Sequence, residues 1–459
     1  MAAQPNASTS PIIERDASAP FAYLSTPLAA LDLQPGLVSC AQFCQHVQSL
    51  AQYLPEHPYA INLCENRYLF TVVFCAVLVR SQTNLLPPNK ANNTLLSLAE
   101  QHPSYVIHDG SLEYSLTNNT PKVDLSQLVP GLAPFTSTSL PRVTNHHIAA
   151  ICFTSGSTGQ SQPIVKTWGT LSAANHHNAR FMLSDLSQTT YQIATVPGQH
   201  MWGLETTVLM PLVADTVMSD AKPFYPSDIA GLAAQLPKPR LLVSAPIHLR
   251  ALVNAGLALP ACERILCATA PLPQVLASQV EHSLQGKVAE VYGCSEMGSM
   301  AVRFTAESQT WRLFDAFALN QLQTGHSQAT ASHIDQSVVL GDFLELVDEH
   351  HFRLTGRTDD VVNIAGKRGS LAEINRILLQ YEGLEDGVAF LPPNKKRLAA
   401  LVILKPGHTT QGLADYFREH IDPAFVPRPM VAVPQLPRSE NGKLSHKAVL
   451  DCYQRTRPT

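Results

Sequence analysis

Thr154-Ser-Gly-Ser-Thr-Gly159 places four hydroxyls and two glycines in six residues, directly behind the apolar run Ile148 to Phe153. Backbone N–H groups in such a loop form a concave anion nest, and the hydroxyls add donors to phosphate oxygens. No Gly-Lys-Ser/Thr closes the segment, so it is not a Walker loop. On composition alone a Ser/Thr/Gly loop is more often an ordinary turn. Other polar residues are equally mute when read singly. Glu296 after an apolar strand reads as a solvated helix start, Gly341-Asp342 as a hairpin turn, and Lys443 in Asn-Gly-Lys as a solvated loop lysine. The histidine pairs His146-His147, His176-His177 and His350-His351 lack an i, i+4 partner pattern. Adjacent side chains point in different directions, which argues against metal ligation by the pairs.

The order of these segments says more than any one of them. Phe153-Thr-Ser-Gly-Ser-Thr-Gly159 resembles the phosphate-loop signature of the AMP-binding superfamily of adenylate-forming enzymes: acyl-CoA synthetases, aryl-acid ligases, peptide-synthetase adenylation domains and luciferases. The resemblance recurs in family order at Tyr292-Gly-Cys-Ser-Glu296, Leu340-Gly-Asp342, Gly356-Arg-Thr-Asp-Asp360, Gly366-Lys-Arg368 with Glu373-Ile374, and Leu436-Pro-Arg-Ser-Glu-Asn-Gly-Lys443. It covers nearly the whole chain. It implies an enzyme that uses ATP and Mg²⁺ to activate a carboxylic acid as its acyl-AMP and then passes the acyl group to a thiol.

Carried over residue by residue, the resemblance puts Thr154, Ser155, Gly156, Ser157, Thr158 and Gly159 around the ATP phosphates. Glu296 becomes the Mg²⁺ ligand, and a hard oxygen suits that ion. Tyr292 and Gly293 lie against adenine, Ser295 near the α-phosphate, and Ala270-Pro271 on the adenine-side wall. Asp342 would accept from both ribose hydroxyls, work suited to an acceptor-only carboxylate, with Arg357 on ribose or phosphate. Lys443 would touch the attacking carboxylate and the α-phosphate together, relieving repulsion that grows toward the transition state. Asp359 holds the hinge position about which the family's small domain rotates, and Gly366 and Arg368 then approach the thiol and its pantetheine arm.

Departures matter too. Relatives place Pro-Lys-Gly after the phosphate loop, whereas this chain has Ser161-Gln162-Pro163 and no lysine before Lys166, which is expected to take over the pyrophosphate contact. The usual Gly-Gly-Ala before Pro-Leu is Ala268-Thr269-Ala270. Pro197-Gly-Gln-His-Met-Trp-Gly203 resembles the acid-binding stretch, so His200, Trp202 and Gly203 are expected in the acid pocket, with Gly298 between Met297 and Met300 on the opposite wall. No Asp stands between Val196 and Gly203 to pair a substrate ammonium. The expected acid is therefore a small aryl acid such as a hydroxybenzoate or hydroxycinnamate. Lys166-Thr-Trp168 also resembles ligases of aryl polyene and xanthomonadin-type pigment clusters, which favours a holo acyl carrier protein as acceptor, with CoA the alternative. His282-Ser283-Leu284 echoes a phosphopantetheine site but lies in a helical pattern without the preceding glycines, so the acceptor is expected to be a separate molecule. An inactive adenylate-binding module is disfavoured, because Glu296, Asp342, Arg357 and Lys443 are all present.

These residues need a scaffold of at least two cores, and 459 residues at 45% hydrophobic suffice for it. Phe43, Val47, Leu50 and Leu54 follow Ser39 at helical spacing. Leu69 to Val79 is rich in β-branched residues and fits a buried strand or a buried helix, which periodicity alone does not separate; its length favours the helix. Short apolar runs at Ile148 to Phe153, Gln192 to Val196, Leu241 to Ser244, Ile265 to Ala268 and Val288 to Tyr292 alternate with helical stretches, the pattern of an α/β core with largely parallel strands. Gln321 to Gln336 is polar and without period, and reads as an exposed loop. Near Gly356 the character changes: Ser370 to Glu373 reads as a capping box ahead of Leu371, Ile374, Ile377 and Leu378 on one helical face. The expected organisation is a large N-terminal ATP- and acid-binding domain (1–355), a hinge (356–360) and a small mobile α+β C-terminal domain (361–459). A net charge of −4 gives no nucleic-acid footprint. The run Tyr68 to Val79 is too short to span a membrane, and the polar start of the chain lacks a secretory signal, so cytoplasm is the default compartment. Nine cysteines without a C-x-x-C read as reduced and mostly buried.

Overall fold

The computed structural model describes residues 8–28, 31–110, 120–127, 140–154, 162–357, 361–364, 367–393, 395–439, 442 and 444–456. Among the described residues, the two largest sheets form the frame of the large N-terminal domain. The first has eleven strands, and its centre is parallel: Lys287–Cys294, Arg264–Cys267, Arg240–Ser244, Thr190–Ala194, Thr216–Ser219 and Pro20–Leu24 lie side by side in that order. Antiparallel strands finish both edges, Gly36–Ser39 on one side and Gly298–Phe304, Trp311–Leu313, His351–Arg357 and Asp342–Leu346 on the other. The second sheet has six strands; Ile148–Thr154 pairs in parallel with Thr83–Leu86 and antiparallel with Gln162–Thr167. Strands covered on both faces read as unbroken apolar runs, and Arg240–Ser244 and Arg264–Cys267 are buried along their whole length.

The run from Leu69 to Val79 is indeed a helix, Arg67–Val79, buried from Arg67 through Leu78. A helix apolar on every side belongs in an interior, and this one touches strands of both sheets. Helix Cys40–Ala51 starts at Ser39, whose hydroxyl accepts from Gln42 N while Gln42 Oε1 accepts from Ser39 N. The nine cysteines are free, and seven are buried.

The polar stretch from Gln321 to Gln336 is not a loop. Phe317–Gln321, Ser327–Ala331 and Ile334–Val339 form a three-stranded antiparallel sheet. Its inward positions are small, with Ser327 and Ala329 fully buried, so the alternation that marks a half-buried strand is present without the large apolar side chains that make it visible.

The smaller C-terminal domain holds helix Leu371–Gln380 between the hairpin Val361–Ile364/Lys367–Ser370 and a sheet of Leu384–Phe390, Ala399–Leu404 and Met430–Ala432. Ser370 caps its helix by accepting from Glu373 N at 3.3 Å. Ile374, Ile377 and Leu378 pack with Leu413 and Phe417 on one face of the sheet, while Val449 and Tyr453 cover the other with Phe390 and Leu401. The strand His351–Arg357 carries the large sheet past Gly356, and residues 358–360 lie outside the described ones.

Candidate active site

Ligands of open α/β sheets sit outside the carboxyl ends of parallel strands. In the large sheet those ends lead into Thr195, Ser244, Ala268 to Pro271 and Ser295. Several sequence-flagged segments meet around them. Lys287–Cys294 turns tightly through Ser295, Glu296 and Met297 into Gly298–Phe304, so Glu296 caps a hairpin rather than starting a helix, with its side chain exposed. Gly298 closes that turn at φ +78°, and a Cβ there would fall 2.3 Å from Glu205 Oε1. The Tyr292 hydroxyl donates to Asp342 Oδ2 at 2.7 Å. The Tyr292 ring packs edge-on against Phe352 and tilted against Trp311, centroids 5.5 and 5.7 Å away. The expected adenine residue and the expected ribose carboxylate are thus one bonded unit, and Arg357 is the register partner of Asp342 across the edge strands.

Lys166 is 4% exposed and donates to the Glu296 carbonyl at 2.6 Å. The expected phosphate lysine is therefore committed to the backbone of the Glu296 turn in this structure. Thr154 ends its strand, and Ser155 to Gly159 lie outside the described residues. Ala270 and Pro271 follow Thr269, whose φ of 82° is strained for a β-branched residue. Thr269→Gly should raise stability by about 1 to 2 kcal/mol through relief of that strain, a gain of roughly 1 to 4 °C for a domain of this size. An unchanged or lower melting temperature would refute it.

His200 precedes a helical turn, Met201–Gly203, that runs into a π-helix, Leu204–Leu209. Gly203 lies so close to the Pro197 carbonyl that a Cβ would stand 1.9 Å from its oxygen, which folds the stretch back on itself. Trp202 is 8% exposed, donates to the Ser244 carbonyl at 3.1 Å and packs in one apolar cluster with Tyr292, Met297 and Met300.

Asp359, Gly366 and Lys443 lie outside the described residues, and Arg368 sits opposite Asn363 in the Val361–Ile364/Lys367–Ser370 hairpin. Gly442, beside Lys443, lies over the carboxyl end of Arg240–Ser244, where a Cβ would meet Ile247 Cγ2 at 2.6 Å. Arg438 holds this segment: its guanidinium forks onto Asp386 at 2.7 and 2.8 Å and donates to the Gly442 carbonyl at 2.8 Å.

Sequence reasoning passed over several positioning residues. Arg67 is buried, its ionisation pushed down to about 10 chiefly by that burial. It donates to the carbonyls of Ala194 and Val196 and to Thr207 Oγ1, tying a strand end to the π-helix. Thr195 Oγ1 bonds both Ser244 Oγ and His248 Nδ1, and burial holds His248 below the ordinary histidine range. Glu205 accepts from Ser299 Oγ at 2.6 Å and from Ser299 N at 3.2 Å, and burial raises its carboxyl, opposed by the Ser299 bonds and by Lys166. A lone acid inside Leu204-Glu-Thr-Thr-Val-Leu-Met210 was the visible signal for Glu205.

Residues 49–350 match the model of the family described as AMP-binding enzyme. A 4-coumarate–CoA ligase of Halorhodospira halophila is 26% identical over 315 residues, 65% of this chain and 76% of that protein. A 3,4-dihydroxybenzoate–[aryl-carrier protein] ligase of Bacillus anthracis is 19% identical over 305 residues, 64% of this chain and 72% of that protein. Among solved structures, the o-succinylbenzoate CoA synthetase of Bacillus subtilis in complex with its acyl-adenylate intermediate superposes with a TM-score of 0.78 at 16% identity, covering 96% of this chain and 98% of the synthetase. That synthetase has also been solved in complex with ATP and magnesium ion. No helix among the described residues is long and apolar enough to cross a membrane.

Proposed function

The chain belongs to the AMP-binding enzyme family and is an adenylate-forming acid–thiol ligase, and on that footing we propose that it charges a small aryl carboxylic acid onto the phosphopantetheine thiol of a separate carrier protein in the cytoplasm. The observation that carries the adenylation site is the bonded pair of Tyr292 and Asp342 next to the turn of Glu296.

ATP supplies an α-phosphorus open to attack and pyrophosphate as leaving group. A carboxylate oxygen of the acid bonds to that phosphorus and the bond to pyrophosphate breaks; the thiol then attacks the acyl carbon and AMP departs. In this reading Tyr292 lies against adenine and Asp342 accepts from the ribose hydroxyls. The exposed carboxylate of Glu296 fits Mg²⁺, an ion that takes oxygen from one or two carboxylates and keeps the rest of its shell as water and phosphate. By the family resemblance Lys443 would serve the two anions that must meet, and a hinge at Asp359 would let Gly366 and Arg368 take its place for the second step.

Two features support an aryl acid. The similar proteins from Halorhodospira halophila and Bacillus anthracis are named for coumarate and dihydroxybenzoate, and Trp202 of the acid stretch belongs to the same apolar cluster as Tyr292, Met297 and Met300, a setting in which stacking of a flat ring adds about 0.5 to 1.5 kcal/mol beyond area. CoA as acceptor is the second reading, favoured by the higher identity to the coumarate–CoA ligase. Hydroxybenzoates and hydroxycinnamates should exceed long-chain fatty acids and amino acids in acid activation, and thioester should form faster on holo carrier protein than on CoA. Preference for an aliphatic acid of eight or more carbons refutes the first statement, and preference for CoA refutes the second.

A further inference from the structure

Lys166 and Glu205 come from different parts of the chain and hold one short turn at its tip, Glu296, and just past its end, at Ser299. Lys166 lies on the strand that follows the phosphate loop, at a register shift between Lys166 and Thr167, and such bulges re-aim side chains. Its amine reaches the carbonyl of Glu296 at 2.6 Å. Glu205 lies on the π-helix that follows the acid-binding stretch, accepts from both the hydroxyl and the amide of Ser299, and stands against the α-carbon of Gly298. Both side chains are at least nine-tenths buried, 4% and 3% exposed. Burying either charge alone is costly; burial raises the Glu205 carboxyl, opposed first by its bonds to Ser299 and then by the nearby charge of Lys166.

We propose that Lys166 and Glu205 are a paired positioning clamp that fixes the backbone of the Glu296 turn, so that the Mg²⁺-binding carboxylate is held from the phosphate-loop side and the acid-pocket side at once. The proposal rests on Glu296 being the Mg²⁺ ligand. Neither clamp residue touches the reacting atoms; both act through the turn. An ion ligand held by a displaced backbone binds less tightly, and losing an outer partner of a metal ligand costs about 10- to 100-fold in metal affinity or activity. The clamp also links two pockets: a ligand that moves the π-helix moves the end of the turn that Glu205 holds.

The test is the free Mg²⁺ concentration that supports half-maximal acid-dependent ATP–pyrophosphate exchange, measured for Glu296→Gln, Lys166→Met, Glu205→Gln and the double variant. Glu296→Gln should raise this requirement; no change there overturns the assignment of Glu296 and the clamp with it. Given that rise, Lys166→Met and Glu205→Gln should each raise it about tenfold. The double variant should fall short of the product of the single effects, because the second loss removes a charge already unpaired. An unshifted requirement in both single variants, or effects that simply multiply, overturns the clamp while leaving Glu296 in place. Should Lys166→Met unfold the protein, Lys166→Arg and Glu205→Asp keep both charges while altering their reach. A partial rise in the Mg²⁺ requirement is then expected, and none overturns the proposal.

Discussion

Lys443→Ala should slow acyl-AMP formation by a factor on the order of 10² or more, the scale seen when one preorganised charge at a transition state is removed, while supplied acyl-AMP still reacts with the thiol. A carboxylate and an α-phosphate repel each other as they approach, and a lysine that meets both relieves repulsion at its greatest. The residue before it is well anchored: Arg438 takes Asp386 with two hydrogen bonds and the Gly442 carbonyl with a third, and Gly442 packs on Ile247 at a strand end of the site. Single-turnover measurements of the two half-reactions separate the outcomes. Equal loss in both would mean that Lys443 serves neither step selectively.

The second large effect concerns nucleotide binding. Asp342→Ala should raise the KM for ATP about 10²-fold, because two ribose hydroxyls lose a charged acceptor worth roughly 1.5 to 3 kcal/mol each before compensation by water. The Tyr292 hydroxyl loses its 2.7 Å partner at the same time. Tyr292→Phe removes the bond to Asp342 while keeping the carboxylate, and should have a much smaller effect, near the 0.5 to 1.5 kcal/mol of an ordinary hydrogen bond, or about twofold to tenfold. A KM for ATP unchanged in Asp342→Ala would contradict the ribose assignment.

How much of this was legible in the sequence depended on what each residue's surroundings contribute. The parallel core was legible because strands buried on both faces are continuous apolar runs, and Arg240–Ser244 and Arg264–Cys267 lie where those runs indicated. The Ser327–Ala331 strand was not, because its buried positions are Ser and Ala, which a hydrophobic period cannot register. Glu296 and Asp342 could be named from motif order, but the hairpin under Glu296 and the bond from Tyr292 to Asp342 depend on strands brought together across the sheet. Lys166 shows the limit most clearly: its place after the phosphate loop made it a candidate, but nothing in the sequence shows that it lies at a register shift and bonds the carbonyl of Glu296, 130 positions away in the chain. Arg67, Glu205 and Arg438 were missed for the same reason, since their partners, the carbonyls of Ala194 and Val196, Ser299, and Asp386 with the Gly442 carbonyl, are set by the fold, even though Glu205 stood out as a lone acid in an apolar stretch.

The central claim, that this chain couples ATP cleavage to the carboxyl group of an acid, is tested most directly by exchange of labelled pyrophosphate into ATP with and without added acid. The expected result is exchange that requires a carboxylic acid, is strongest with a hydroxybenzoate or hydroxycinnamate, and leaves AMP rather than ADP once a thiol acceptor is added. Exchange that proceeds equally without acid, or its absence with every acid while ATP still binds, would contradict the account.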